Sequence, residues 1–424
     1  MKTIKFGIFG LGRGGHFFDY IRQNNGEIVA VLEKDQKRIN KVKDSFSKDC
    51  VLYDNFDDFI NHEGLDAVLI ANYFHEHTKY AIKALEKGVH VLCETTTNST
   101  MAQGVELVRA CEKSKAIFML AENYPFMKFN QEMARLYKGG TLGQILMAEG
   151  EYNHPIDNKD LDTLAYLRPH AKHWRCTLPA SYYLTHSLAP LMVMTGSIPK
   201  RVSAFPICDG AGGKINKRSE LRFVSEYSVA INIQNDDMSV FRVCGCAGYG
   251  GHGNSYRLNC TKGSVENVRG TDGKIMLRYN SWDKPEGAES TNFYMPEWAE
   301  QDKEFAEKAG HGGGDFFVIR EFMTCIREGR KPYMDEYFGT TIASVAILAH
   351  RSMLNGGQPY AIPDFRNEED RKQWENDTIT PFYGSEDGSE PTIGCTCDPN
   401  NIITQERIEE YDKLMSEIAS KQSK

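Results

Sequence analysis

Two groups of residues have the types and spacing to do chemistry. Gly10-Leu11-Gly12-Arg13-Gly14-Gly15 matches G-x-G-x-x-G, directly after the short apolar run Ile4 to Gly10 and before a stretch that reads as a helix from about His16 to Gln23. In that setting the turn can hold a dinucleotide. Gly10 permits the tight turn, Gly12 lets backbone N–H groups approach a pyrophosphate, and Gly15 lets the helix pack close to the sheet with its N-terminus toward the phosphates. Outside that setting the same glycines would make only a tight turn. Glu33 ends the next apolar run, where a carboxylate either accepts hydrogen bonds from both ribose hydroxyls or is merely a solvated strand end. In the first case its charge repels a 2′-phosphate and NAD is favoured over NADP, with the neighbouring Lys34 able to relieve that repulsion in part.

The second group is Tyr183 and His186. Imidazole exchanges protons near neutral pH, and the i, i+3 spacing would put both side chains on one face if the segment is helical. Packing explains such a pair equally well. His311, within Gly310 to Gly314, could enter a site or simply belong to the turn that opens a helix from about Phe316 to Glu328. Arg175 could clamp hydroxyls or stack on Trp174. No group has metal-ligand spacing, and Ser187 lacks the G-x-S-x-G elbow of a serine hydrolase.

These residues need elements to position them. Ile4 to Gly10, Ile28 to Leu32, Ala67 to Ala71, His90 to Cys93 and Ala116 to Leu120 are short apolar runs separated by helical periodicity, which is the pattern of a parallel sheet with helical crossovers. Thr78 to Lys87 reads as one crossover helix, stopped by Gly88. Alternation over Leu221 to Gln234, Met238 to Cys244 and Tyr256 to Val268 predicts a second, mostly antiparallel sheet. The fold class is therefore α/β: an N-terminal Rossmann dinucleotide-binding domain (1–124) followed by an α+β domain with a mostly antiparallel open sheet (125–363). In the tail (364–424), Asp364 to Asn400 reads as loop and Thr404 to Ala419 as an amphipathic helix that docks on its own body or on a sister subunit.

Composition removes other classes. With 424 residues, 41% apolar and 25% charged, the chain is that of a globular protein, and no apolar run approaches the roughly 20 residues that span a bilayer. A net charge of −8 without a basic cluster argues against nucleic acid and anionic membranes as partners. The 11 cysteines form neither a small disulfide scaffold nor a paired C-x-x-C zinc ribbon, and no leader precedes the first strand, so a reducing cytoplasm is expected.

The run Leu69 to His77, followed by Val89-His90-Val91-Leu92-Cys93-Glu94, resembles the Gfo/Idh/MocA oxidoreductase family. Thr95 and Thr96 stand where ordinary members of that family carry Lys-Pro after the glutamate. A threonine hydroxyl is no acid or base near neutrality, so the lysine's work must fall to another group or be lost. Ala121 to Tyr124, Glu149 to His154, His173-Trp174-Arg175, Tyr183 to Pro190 and Gly310 to Phe316 follow in an order similar to the NAD-dependent branch called glycoside hydrolase family 109, alpha-N-acetylgalactosaminidase-like.

That resemblance places Arg13, Asn72, His77, Glu94 and Asn123 around NAD with Gly10, Gly12, Gly15 and Glu33. His77 could instead cap the helix that follows it. Tyr183 and His186 would handle protons, and Glu122, Tyr152 and Arg175 would bind the sugar, with His252 and His311 as further substrate contacts. A further sugar-contacting tyrosine before Thr261-Lys262-Gly263 is not evident. The implied activity is NAD-dependent glycoside hydrolysis by transient oxidation at sugar carbon 3, loss of the carbon 2 proton, elimination, water addition and re-reduction. This differs from the two-carboxylate route. The expected partners are a small carbohydrate and further copies of the chain as a homo-oligomer. The alternatives are an NAD-dependent sugar or polyol dehydrogenase and a non-catalytic NAD- or sugar-binding protein.

Overall fold

The computed structural model describes residues 2–156, 160–208 and 223–422. Its first sheet has six parallel strands: β1 (Ile4–Phe9), β2 (Gly26–Leu32), β3 (Val51–Tyr53), β4 (Ala67–Ile70), β5 (His90–Cys93) and β6 (Phe118–Leu120). Their order is β3-β2-β1-β4-β5-β6, which leaves a crevice at the carboxyl ends of β1 and β4, where the winding reverses. Alternate residues of β4 enter different cores. Ala67 and Leu69 join the core that continues into the second domain, and Val68 and Ile70 pack with Phe59, Tyr80 and Ala84. A strand covered on both faces must be apolar at every position, as this one is. The sequence pattern did not reveal β3, because it is a three-residue edge strand with Val51 and Leu52 exposed.

The glycine-rich turn follows β1 directly. Gly10 has φ 91°, and a Cβ on it would lie 2.5 Å from the Ala71 carbonyl oxygen, so only glycine fits. Helix starts at once, at Leu11–Gly14, continues through a 3₁₀ turn at Gly15–Phe17 and resumes at Phe18–Gln23. This is earlier than the expected start at His16, and it changes which glycine allows close packing on the sheet. A Cβ on Gly14 would lie 2.7 Å from Ile8 Cγ2, whereas one on Gly15 would make ordinary contact with Val42 at 3.4 Å. The role expected of Gly15 therefore belongs to Gly14.

The second sheet has nine strands: β7 (Ile145–Asn153), β8 (Pro199–Ile207), β9 (Ser228–Asn235), β10 (Val240–Cys244), β11 (Gly253–Cys260), β12 (Gly263–Asn267), β13 (Ile275–Tyr279), β14 (Thr291–Tyr294) and β15 (Tyr360–Ala361). The order is β14-β13-β12-β11-β7-β10-β9-β8-β15, antiparallel throughout except for the β7–β10 pair. The strand expected from Leu221 begins at Ser228; Leu221 and Arg222 lie outside the described residues, and 223–227 is loop. The run Tyr256 to Val268 is a hairpin of β11 and β12 rather than one strand. The helix Thr185–Thr195 lies on β7, and the contact is close because residue 150 is glycine: a Cβ there would overlap the Ser187 carbonyl oxygen.

The C-terminal segment is more ordered than its composition implies. A helix at Glu368–Trp374, capped by the Asn367 side chain, interrupts the stretch read as loop. Phe382 packs against Phe74, His75 and Tyr182, and Glu386 meets Lys79 and Tyr80 of the first domain. The last helix, Gln405–Gln422, buries Ile408, Tyr411, Met415 and Ile418 against Cys176, Phe223 and Cys395 of the same chain. Among the described residues no helix is long and apolar enough to cross a membrane.

Gly150→Ala should push the Thr185–Thr195 helix off β7. Overpacking of this kind costs about 1–3 kcal/mol, and urea unfolding of the variant should show a loss in that range; a stability equal to wild type would contradict the packing described.

Candidate active site

A cleft of about 1160 Å³ runs from the glycine-rich turn to the second sheet. Gly10, Gly12, Arg13, Glu33, Asn72, His77, Glu94 and Asn123 line one half, and Tyr152, Arg175, Tyr183, His186 and His311 line the other. The fold thus gathers most of the residues singled out from sequence. Gly15, Glu122 and His252 do not line it.

His186 is the centre of the second half. Its Nδ1–H donates to Glu122, at 2.7 Å from Oε1 and 2.9 Å from Oε2. Glu122 has no exposed surface and also accepts a hydrogen bond from the Tyr124 backbone N–H. Buried carboxylates persist only when paired in this way. Glu122, expected to bind sugar, does not line the cleft: it lies behind His186 and fixes the ring's orientation through Nδ1, so that Nε2 is the ring nitrogen turned away from the carboxylate. Tyr124 stacks on the His186 ring at 4.0 Å, and Tyr152 and Tyr183 meet it edge-on at 4.8 and 5.3 Å. Burial pushes the Tyr183 phenol up to about 12 and raises those of Tyr124 and Tyr152 as well, so these tyrosines stay protonated near neutrality and offer O–H groups rather than bases.

Tyr183 and His186 do not share one helix. Tyr183 ends a 3₁₀ turn, Ala180–Tyr183, and His186 sits in the first turn of Thr185–Thr195. That helix contains Pro190, which has no N–H to give to the His186 carbonyl four residues earlier. The Tyr256 hydroxyl donates to that carbonyl instead, at 2.5 Å. Tyr256 is fully buried, and in the sequence it marks only the start of an alternating run; the signal for its role is a proline four residues after His186.

The other half fits a dinucleotide. A Cβ on Gly12 would be 3.5 Å from Arg38 Nη1, which leaves the turn open to a phosphate. The Glu33 carboxylate, at the end of β2, accepts from the N–H groups of Leu11 (2.9 Å), Lys34 (2.9 Å) and Asp35 (3.0 Å) and faces the cleft. Asn72 Oδ1 is buried without a partner among the described residues, an acceptor left for a bound hydroxyl or amide. Arg13 crosses to Glu94 (3.1 Å) and to Asp315 of the second domain (2.5 Å), and Asn123 Nδ2 donates to the same carboxylate at 2.7 Å. Burial works to raise the Asp315 pKa, but hydrogen bonds from His311 and Arg13 outweigh it and hold the group well below the usual carboxylate range.

Other expected residues sort by geometry. His77 Nδ1 donates to the Thr96 carbonyl at 2.7 Å, so it braces the segment after β5; it is the first residue of the helix His77–Glu86, whose cap is Glu76. Thr95 lines the cleft where a lysine was missing. Arg175 stacks on Trp174 at 4.3 Å and also faces the cleft, so both readings of it hold. His252 is exposed at the rim and reaches the cleft only through His154, whose ring lies 4.8 Å away.

Residues 4–122 match the model of the oxidoreductase family with an NAD-binding Rossmann fold, and residues 252–375 match the glycosyl hydrolase 109 C-terminal domain. The chain carries a Gfo/Idh/MocA NAD-binding domain joined to a glycosyl hydrolase 109 C-terminal domain. It is 22% identical to a glycosyl hydrolase family 109 protein of a Shewanella species, over 91% of this chain and 89% of that one. It is 21% identical to an alpha-N-acetylgalactosaminidase of Shewanella oneidensis, covering 89% and 87%. Among solved structures, a levoglucosan dehydrogenase complex with NADH and L-sorbose superimposes with TM-score 0.69 at 18% identity, covering 86% of this chain and all of that one. An aldose-aldose oxidoreductase from Caulobacter crescentus gives 0.67 at 17%, covering 85% and 100%. NAD is the cofactor of this fold, and the residues lining its half of the cleft fit it.

His173 caps the helix Trp174–Thr177 by accepting from the Arg175 N–H at 3.3 Å, which requires neutral Nδ1. Burial and the nearby Arg175 push its pKa down to about 2. A histidine depressed in the folded state contributes its full stability above its unfolded pKa, and that contribution drains as pH falls below it. His173→Asn, which keeps an acceptor at the cap, should flatten the loss of stability between pH 6.5 and 5 by up to about 1.4 kcal/mol per pH unit. Urea midpoints at several pH values measure this, and an unchanged slope would contradict it.

Proposed function

We propose that the protein is an NAD-dependent glycosidase in which His186, held by Glu122, removes the carbon 2 proton of a pyranoside. The observation that carries this reading is the Glu122–His186 pair, which presents an imidazole acceptor to the cleft where the family lysine is replaced by Thr95. Bound NAD supplies a reversible hydride acceptor at sugar carbon 3, so that a carbinol becomes a ketone and the neighbouring carbon 2 proton becomes acidic. Tyr183 and Tyr152 donate hydrogen bonds to sugar oxygens and steady the negative charge that develops as the proton leaves. Arg175, supported on Trp174, orients the ring hydroxyls. Asn72, Glu33 and the glycine-rich turn hold the cofactor. The matched glycosyl hydrolase 109 domain and the names of the relatives support the glycosidase side of this reading.

A second reading is an NAD-dependent sugar dehydrogenase, favoured by the likeness to levoglucosan dehydrogenase; there His186 would take the hydroxyl proton that leaves with the hydride. Purified protein with its cofactor, given a panel of nitrophenyl glycosides, separates the two. Aglycone release without accumulation of absorbance at 340 nm is expected. Stoichiometric NADH from free sugars points to the dehydrogenase, and no reaction with cofactor retained would remove both. His186→Ala should lower kcat by about 10²–10⁴-fold while NAD stays bound; undiminished turnover would take His186 out of the mechanism.

A further inference from the structure

Elimination needs two proton-handling groups, one at carbon 2 and one at the oxygen that leaves carbon 1. The cleft contains a second histidine–carboxylate pair built like the first. His311 Nδ1–H donates to Asp315 Oδ2 at 2.9 Å, and His311 lines the cleft. Asp315 is itself buried and fixed by Arg13 and Asn123, so its position does not depend on His311. Both imidazoles neighbour one aromatic ring: Tyr124 stacks on His186 and lies 6.0 Å from His311. His311 also holds φ 51° within Gly310 to Gly314, a left-handed conformation uncommon for a side chain of its size. Glycine would adopt that backbone without strain, so the imidazole has a use that outweighs the strain.

We propose that His311, oriented by Asp315, is the proton donor to the departing glycosidic oxygen. The inference rests on the glycosidase reading above and assigns a second acid–base group within it. As the carbon 2 proton passes to His186 Nε2, the C–H electrons form the carbon 1–carbon 2 double bond and the carbon 1–oxygen bond breaks. The leaving oxygen takes the Nε2 proton of the His311 imidazolium, which becomes neutral while Nδ1–H stays on Asp315. Neutral His311 then accepts a proton from the water that adds at carbon 1, His186 Nε2 returns a proton to carbon 2 as the double bond is consumed, and both imidazoles regain their starting protonation. The His311 side chain is 42% exposed, so protons can also exchange with solvent. The charged and titratable neighbours that face it are Asp315, Arg13, His16 and Tyr124.

The test is a series of glycosides of one sugar, from dinitrophenyl to alkyl, with log kcat/KM plotted against the pKa of the leaving alcohol for wild type and His311→Asn. Asparagine tolerates the left-handed backbone and can still donate to Asp315, so the variant should fold. Wild type is expected to give a shallow slope and the variant a steep one, with alkyl glycosides losing at least about 100-fold more rate than dinitrophenyl glycosides. Added imidazole should restore part of the alkyl activity. A uniform loss across the series would overturn the assignment of His311 alone. Failure of wild type to cleave any member would overturn the glycosidase reading and this inference together.

Discussion

Glu122 carries a carboxylate to a position with no solvent contact, and the site is organised by the way that group is satisfied. It follows β6 of the first domain, and its partner, His186, belongs to a helix of the second. The hydrogen bond is therefore both a domain contact and the device that fixes an imidazole. Removing one partner of a buried pair costs about 3–5 kcal/mol, so the domains cannot shift far while the bond holds. Around it, Gly150 lets the helix lie on β7, Tyr256 takes over the carbonyl that Pro190 leaves without a donor, and Tyr124 covers one face of the ring. Each of these serves the same placement of Nε2.

The cofactor side is tied in by a second polar contact between domains. Arg13, inside the glycine-rich turn, reaches both Glu94 and Asp315, and Asp315 gathers Asn123 and His311 as well. Burial raises the Glu94 pKa, with Arg13 opposing the shift. The same arginine that orders the phosphate-binding turn thus orders the helix Gly314–Glu328, which carries Asp315. The glycine-rich turn and the His311 end of the cleft are therefore held by one shared set of contacts.

Much of this was legible in the sequence. The Rossmann sheet was readable because strands covered on both faces leave no polar position, and the turn because glycine is compelled at Gly10. The cleft membership of Tyr152, Arg175, Tyr183, His186 and His311 was also anticipated. What sequence did not give depends on third partners. Glu122 reads like any carboxylate beside a tyrosine until its depth is known, and only depth separates a sugar ligand from a group that orients a histidine. Gly14 rather than Gly15 packs on the sheet because the helix begins at Leu11 and not near His16, and three glycines among the first five helical residues leave no apolar periodicity from which to read that start. The helix Glu368–Trp374 is polar enough to pass for loop, since it is held by Arg371 pairing with Glu112 and Glu368 rather than by an apolar face. His252 stands near the place where the resemblance puts a sugar-contacting tyrosine, yet it is exposed and does not line the cleft.

The central claim is that a histidine held by a buried glutamate removes a carbon-bound proton in a cleft that holds NAD. It is tested most directly by hydrolysing an aryl glycoside in deuterated water and examining the released sugar by NMR. The account predicts deuterium at carbon 2 of the product from wild-type protein. Hydrolysis that proceeds with the carbon 2 hydrogen fully retained would contradict it.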